Sequence, residues 1–374
     1  MPAPGIPFTR YMKVTKTIFK WHHWSGLIVG LFVLLMSLTG SLLVFSEEWE
    51  HLEQVPSITT RTGTPNFDAS FGAVQQQYPG WEIRLYHLPQ KDQALAYELR
   101  QKEVRKKVYV HPVSGKIVAV NENANTSFQR TLLLLHYTLL WGTKGKITVF
   151  IIGVLFLISL ITGLIVYRHA LVKVFTFKLR LNQKTRRAFY SSLHRIVGVW
   201  SLLFNLLIVL TGLWLSGQIA LTAIKTPANA PVAATAEKPI HSIDAIVSKL
   251  KTEQPQFQIH LIRIRAGSNA VGVSGRLLSD PKVYGNYYSG FVFDGPTADV
   301  TSSFFMKDMP WNQRLSRMAA PLHFGTYGGM LLKIVYCLLG LTPALLSITG
   351  FLLWQKRYKS SGKTGKKKPA LQHA

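Results

Sequence analysis

Four histidines recur at matched positions in strongly apolar sequence, and imidazole nitrogen is a ready metal ligand. His22 opens the run WHHWSGLIVGLFVLLMSLTGSLLVF, four residues before Gly26 and ahead of Thr39-Gly40. The pattern returns at His194, Gly198 and Thr211-Gly212 with one constant offset. A second constant offset carries Arg130, His136, Gly142, Lys146, Gly153 and Thr162-Gly163 onto Arg317, His323, Gly329, Lys333, Gly340 and Thr349-Gly350. The chain therefore reads as a duplicated unit with one histidine per helix. A lone histidine at a helix mouth is an ordinary interfacial group. Four at equivalent positions in segments where ionisable groups are costly read as ligands.

Two histidines from two helices supply both axial positions of a b-type haem. The expected cofactor is two such haems, the inner held by His22 and His194 and the outer by His136 and His323. Gly26 and Gly198 lie one helical turn from their histidines, on the same face, and leave room for a porphyrin. Trp24, Trp200, Tyr137, Trp141, Phe324 and Tyr327 are expected as aromatic walls. Arg130 and Arg317, each six residues before an outer histidine, are placed to pair with haem propionates, and Arg195 to do so inside; headgroup contact or membrane topology is the competing account of these arginines. A bare zinc or copper ion needs three or four protein ligands, whereas Cys337 has no partner cysteine and the apolar runs hold no carboxylate. No C-x-x-C-H is present for c-type attachment. His23 is the weaker inner candidate because its repeat partner is Arg195. The Thr-Gly pairs are expected to serve close helix packing, each threonine hydroxyl bonding its own helix.

These residues must be positioned by membrane helices. Of 374 residues 48% are hydrophobic and 16% charged, and four runs, about 24–45, 147–167, 196–215 and 331–354, approach or exceed the roughly 20 residues that span a bilayer. The net charge of +26 suggests nucleic acid until its distribution is read. All 17 Asp and Glu fall within residues 47–122 and 237–308. The N-terminal piece, the connection 168–195 and the tail 356–368 are purely basic. The positive-inside rule puts those three in the cytoplasm and the two acid-containing segments outside, so no nucleic-acid partner is expected. No small-residue cleavage site follows the first run, which reads as a retained signal anchor.

The expected fold class is an α-helical membrane protein of four transmembrane helices from a duplicated unit, with two α+β extracytoplasmic modules. The divisions are a basic lead (1–20), span one (21–46), module one (47–129), an approach helix with span two (130–167), a basic loop (168–193), span three (194–216), a linker with module two (217–313), an approach helix with span four (314–355) and a basic tail (356–374). In module one FDASFGAVQQQYPG reads as a helix and WEIRLYHL, ALAYELR and KKVYVHP as half-buried strands. In module two SIDAIVSKLKTEQP is the helix and FQIHLIRIRA, NAVGVSG and YSGFVFDG are the strands. Thr226–Pro239 reads as a Pro/Ala-rich linker.

With H-x-x-x-G and a downstream T-G in spans one and three, L-H-x-x-x-x-x-G and T-G around spans two and four, and strand-turn pieces such as VYVHPVSGK, the sequence resembles the PepSY-associated transmembrane family. The second module departs from that pattern at FVFDGPTADV. The resemblance implies a bacterial inner-membrane reductase of a ferric siderophore or other ferric chelate. Its two bis-histidine haems would sit at His22, His136, His194 and His323, its modules would be periplasmic and both termini cytoplasmic. No nucleotide-binding or flavin-type domain is present, so electrons are expected from a cytoplasmic donor or quinol. The competing expectations are a non-enzymatic membrane-anchored binding or regulatory protein and an iron-complex permease. The latter has only Lys333 and the histidines to make a polar path.

Overall fold

The computed structural model describes residues 8–52, 56, 58, 63–86, 88, 93–225 and 242–364. The linker expected at Thr226–Pro239 lies outside them. The chain divides into two compact units: one holds the described residues up to Val44, Leu135–Ala223 and those from Lys333; the other holds Phe45–Leu134 and Ile224–Leu332.

The first unit is helical. Its elements are α1 (Phe8–Leu43), α5 (Gly142–Phe175), α6 (Arg186–Trp200), α7 (Leu202–Lys225), α10 (Gly329–Gly340) and α11 (Thr342–Thr364); interspersed in the chain are α2 (Ser46–Leu52), α3 (Phe67–Gln77), α4 (Phe128–Thr138), α8 (Ile243–Glu253) and α9 (Trp311–Phe324). Lys16–Leu43, Gly142–Phe175, Leu202–Lys225 and Gly329–Gln355 are each long and apolar enough to cross a membrane. α1 packs on α5 and α11, and α6 packs on α11.

Two helical paths are interrupted, between α6 and α7 and between α10 and α11, and side chains bond the backbone at both points. Between α6 and α7, Ser201 donates to the Val197 carbonyl at 2.7 Å and accepts from Asn205 Nδ2 at 3.0 Å. Between α10 and α11, Pro343 has no N–H to offer and the chain is interrupted at Leu341. Ser37 of α1 fills that gap, donating to the Gly340 carbonyl and accepting the Ala344 N–H at 3.1 Å. In an apolar surrounding every backbone group must find such a partner, which is why a hydroxyl from a neighbouring helix sits at the break.

The second unit is a single antiparallel sheet in the order β4-β3-β2-β1-β5-β6-β7-β8, with β1 (Glu82–Leu85), β2 (Leu95–Gln101), β3 (Val104–Val110), β4 (Ile117–Asn121), β5 (Phe257–Ile264), β6 (Ala270–Leu277), β7 (Ser289–Asp294) and β8 (Val300–Phe304). Each half supplies a helix and then four strands. The two halves join where β1 pairs with β5, Ile83 opposite Ile264 and Leu85 opposite Ile262. Alternation places Ile83, Leu85, Tyr97, Leu99, Ile262, Ile264, Val271 and Val273 on one face, packed with Val74 of α3 and Ile246 of α8 in one buried core. Each of these side chains contributes about 1.5–3 kcal/mol by burial.

α3 and α8 cap one another. Asp244 accepts the N–H groups of Phe67 and Asp68 at 2.9 Å each, and Asp68 accepts those of Ile243 and Asp244. A carboxylate at each helix N-terminus thus satisfies orphan donors of the other helix. Asp68→Ala and Asp244→Ala are each expected to cost about 1–2 kcal/mol, the scale of a lost N-cap. The double variant should cost less than the sum because the two caps form one network. Chemical denaturation of the four proteins checks this; strict additivity would show that the caps act independently.

Candidate functional site

Three of the four repeated histidines lie in the helical unit, and each is seated on a Thr-Gly pair of a neighbouring helix. His22, on α1, directs Nδ1 to the Ser159 carbonyl of α5 at 2.9 Å. That carbonyl lies one turn before Thr162-Gly163. An ideal Cβ built on Gly163 would lie 2.9 Å from His22 Cε1, so only glycine admits the ring. His194, on α6, directs Nδ1 to the Thr349 hydroxyl of α11 at 2.9 Å and reaches the Leu346 carbonyl. Its ring rests beside Gly350, with Cε1 3.7 Å from an ideal Cβ there. His136, on α4, meets the Thr39 hydroxyl of α1 at 3.0 Å, reaches the Met36 carbonyl and lies against Gly40, whose ideal Cβ would be 2.9 Å from Cε1. Each threonine also donates to its own helix, to Leu35, Ile158 and Leu345 at 2.8, 2.6 and 2.8 Å. The packing role expected of these pairs is present, and the seat for an imidazole comes with it.

His22 and His194 face each other, with ring centroids 6.3 Å apart and planes at 74°. Both line a cavity of about 730 Å³ between α1, α5, α6 and α11, a size typical of cofactor pockets. Gly26 and Gly198 line the same space, as does Gly30. An ideal Cβ on Gly26 would lie 3.4 Å from Ser159 Oγ and one on Gly198 3.6 Å from Leu346 Cδ2, both ordinary van der Waals contacts. His23 also borders it but stacks on Phe19 at 6.3 Å and 7°.

The residues fit a bis-histidine haem. His22 and His194, on different helices and facing each other at 6.3 Å across the cavity, would hold it between them. With Nδ1 of each ring bonded to a helix, Nε2 is the nitrogen left for iron, the usual arrangement of a metal-binding histidine. Among the described residues no group of three or more His, Cys, Asp or Glu is arranged to hold a bare metal ion.

The expected aromatic walls are corrected. Trp24 and Trp200 are 56% and 52% exposed and do not line the cavity; bulky indoles at these helix surfaces turn outward, where an interface favours them. Tyr167 does line it, edge-on to His22 at 6.0 Å, as do Phe156 and Trp354. Arg195 borders the cavity as expected, and Arg187, which drew no notice in the sequence, joins it there. Arg130 and Arg317 belong to the other unit. The Arg317 guanidinium lies over the Phe304 ring at 5.9 Å, and the Arg130 backbone N–H donates to Oγ of Ser127, which caps the start of α4, at 3.2 Å. His323 lies in that unit as well, near the end of α9, which Gly325 closes in the left-handed conformation (φ 69°).

Four apolar helices of spanning length, with two tethered imidazoles facing across an apolar cavity, define a multi-pass helical membrane protein built around a histidine pair. The family described as PepSY-associated TM region matches residues 19–357. The chain belongs to that family. No curated protein matches it.

Proposed function

We propose that the protein is a di-haem transmembrane electron-transfer protein that reduces a ferric siderophore or other ferric chelate outside the cytoplasmic membrane of a bacterium. One observation carries the reading: the His22–His194 pair, 6.3 Å apart across an apolar cavity, with both Nδ1 atoms held by neighbouring helices. A haem held there would supply one-electron chemistry, the electron coming from a cytoplasmic donor or quinol and going to the Fe(III) chelate. The protein's own residues do the rest. Ser159 and Thr349 hold the rings in one rotation, and leucines and valines make much of the wall around them. Arg187 and Arg195 supply positive charge for propionates at the cavity edge. Fe(II) binds hard oxygen donors more weakly than Fe(III), so reduction releases the metal.

The outer pair, His136 and His323, rests on the sequence repeat and on the equivalence of the His136 seat to those of His22 and His194. The purified protein should give a six-coordinate b-type spectrum with about two haems per chain. His136→Ala and His323→Ala should each remove about one haem and abolish reduction of an external ferric chelate. Full haem and full activity in both variants would sink the outer site, and a colourless protein made with ample haem would sink the function.

A further inference from the structure

The face of the sheet opposite its core carries an excess of guanidinium groups that the haem-binding helices do not account for. Residues directly opposite across strands point the same way, and two such rows cross the middle of the sheet. One runs Lys107, Glu98, Arg84, Arg263; the other runs Arg105, Arg100, Glu82. Arg84 stands directly opposite Arg263, and Arg100 opposite Arg105. Like charges so paired are destabilising, and among the described residues two glutamates serve four arginines. Glu82 meets Arg84 at 2.8 Å and Arg263 at 3.8 Å; Glu98 meets Arg100 closely and Arg105 at 3.6 Å. The Tyr86 hydroxyl accepts from Arg84 Nη1 at 3.0 Å and Arg100 Nη2 at 2.8 Å, drawing the two guanidiniums together. These side chains are 16–35% exposed, open to a ligand yet too sheltered for water to screen them fully.

Two of the arginines feel their positive neighbours. Burial, and then the charge of Arg100, holds Arg105 below an ordinary arginine pKa, with Arg130 and Arg84 adding to the effect. Burial and Arg265 act likewise on Arg263. Burial works to lower Arg100 too, but Glu98 holds it above its ordinary value, so the two glutamates compensate only part of the cluster. Arg130 Nε is buried with no hydrogen-bond acceptor among the described residues. A structural ion-pair network would match its charges. Here, among the described residues, four arginines gather about two glutamates, with Arg105 Nη1 also donating to the Lys102 and Val104 carbonyls at 3.0 and 3.1 Å, astride the β1–β5 seam where both halves of the chain contribute.

We infer that this arginine face binds an anionic iron chelate, its carboxylate or catecholate oxygens accepting from Arg84, Arg100 and Arg105, with Tyr86 positioning the first two. Planar guanidinium forks suit such oxygens better than an ammonium would. The naming of the ligand as an iron chelate rests on the reductase reading; the anion site does not.

The test is equilibrium dialysis of the full-length protein in zwitterionic nanodiscs against gallium(III) citrate, an anionic and redox-inert stand-in, beside a cationic trihydroxamate chelate of gallium. Saturable binding of the anionic chelate alone is expected. It should weaken at least about tenfold in the Arg84→Gln/Arg100→Gln variant, the scale of losing hydrogen bonds to a charged group, and should fall with added salt. Arg84→Lys/Arg100→Lys should recover part of it. Equal uptake of both chelates, or full binding by a glutamine variant that melts like the parent, overturns the proposal. So does a variant altered only in its co-purifying anionic lipid, which would make a headgroup the ligand. Gallium accepts no electron, so the two readings separate: a colourless protein that binds citrate sinks the reductase and keeps the site, and a haem-loaded protein blind to the chelate does the reverse.

Discussion

Purified His22→Ala and His194→Ala proteins are each expected to carry about one haem fewer than the parent while keeping its helical content. The two imidazoles face one another at 6.3 Å across a cavity, so an alanine enlarges an existing space and removes the imidazole proposed to hold the haem. His194 bonds Thr349 and His22 bonds Ser159. Those partners retain their own intrahelical bonds, the Thr349 hydroxyl to Leu345 at 2.8 Å and Ser159 through its place in α5. Haem content by pyridine haemochrome and helicity by circular dichroism read the two effects separately. His23→Ala provides the control, since that ring stacks on Phe19, and it should keep both haems. Loss of haem from His23→Ala, with His22→Ala unaffected, would move the ligand to the neighbouring residue.

Gly163→Ala should impair the inner haem whereas Gly350→Ala should not. The distances separate the two cases. A methyl on Gly163 would lie 2.9 Å from His22 Cε1, closer than real carbons approach, and the nearest atoms belong to a side chain that swings away without disturbing the backbone. The helix therefore survives and the imidazole leaves its seat. On Gly350 the methyl would meet His194 Cε1 at 3.7 Å, an ordinary contact. Displacing a metal ligand or the group that orients it commonly weakens binding about 10–100-fold, and that range is expected for Gly163→Ala in haem titration of the apoprotein. Gly40→Ala, whose methyl would crowd the His136 ring to the same 2.9 Å, should behave like Gly163→Ala at the outer site. Equal behaviour of all three variants would mean that the glycines serve helix packing alone.

The sequence disclosed the histidines, the four apolar helices and most strands because each leaves a periodic trace. Charge-free runs of twenty residues cannot hide, and alternation at Ile83, Leu85, Tyr97 and Leu99 marks a half-buried strand. The edge strands β4 and β8 went unread because they are largely exposed and carry no apolar alternation. The pairing of β1 with β5 left no trace either. Backbone hydrogen bonds between distant strands have no residue signature, so two modules were expected where one sheet exists. At the site, the Thr-Gly pairs were visible as repeats, but their service to histidine was not. It depends on which helix lies beside which, and spacing along one helix is silent on that. Tyr167 and Arg187 likewise reach the cavity through packing that no local pattern encodes.

The β1–β5 ladder also constrains how the chain is made. Its partners, Glu82–Leu85 and Phe257–Ile264, are separated in sequence by α5 and α7, two of the candidate spans. Until the second half has emerged, β1 presents a bare edge and α3 lacks the carboxylate of Asp244 that caps it. The first half must therefore wait, with an unpaired strand open to aggregation, for a stretch synthesised long after it. Late-forming, long-range pairing of this kind is slow. The nascent protein is thus most vulnerable to proteases and in need of a chaperone during the interval in which its first strands are complete and their partners are still on the ribosome.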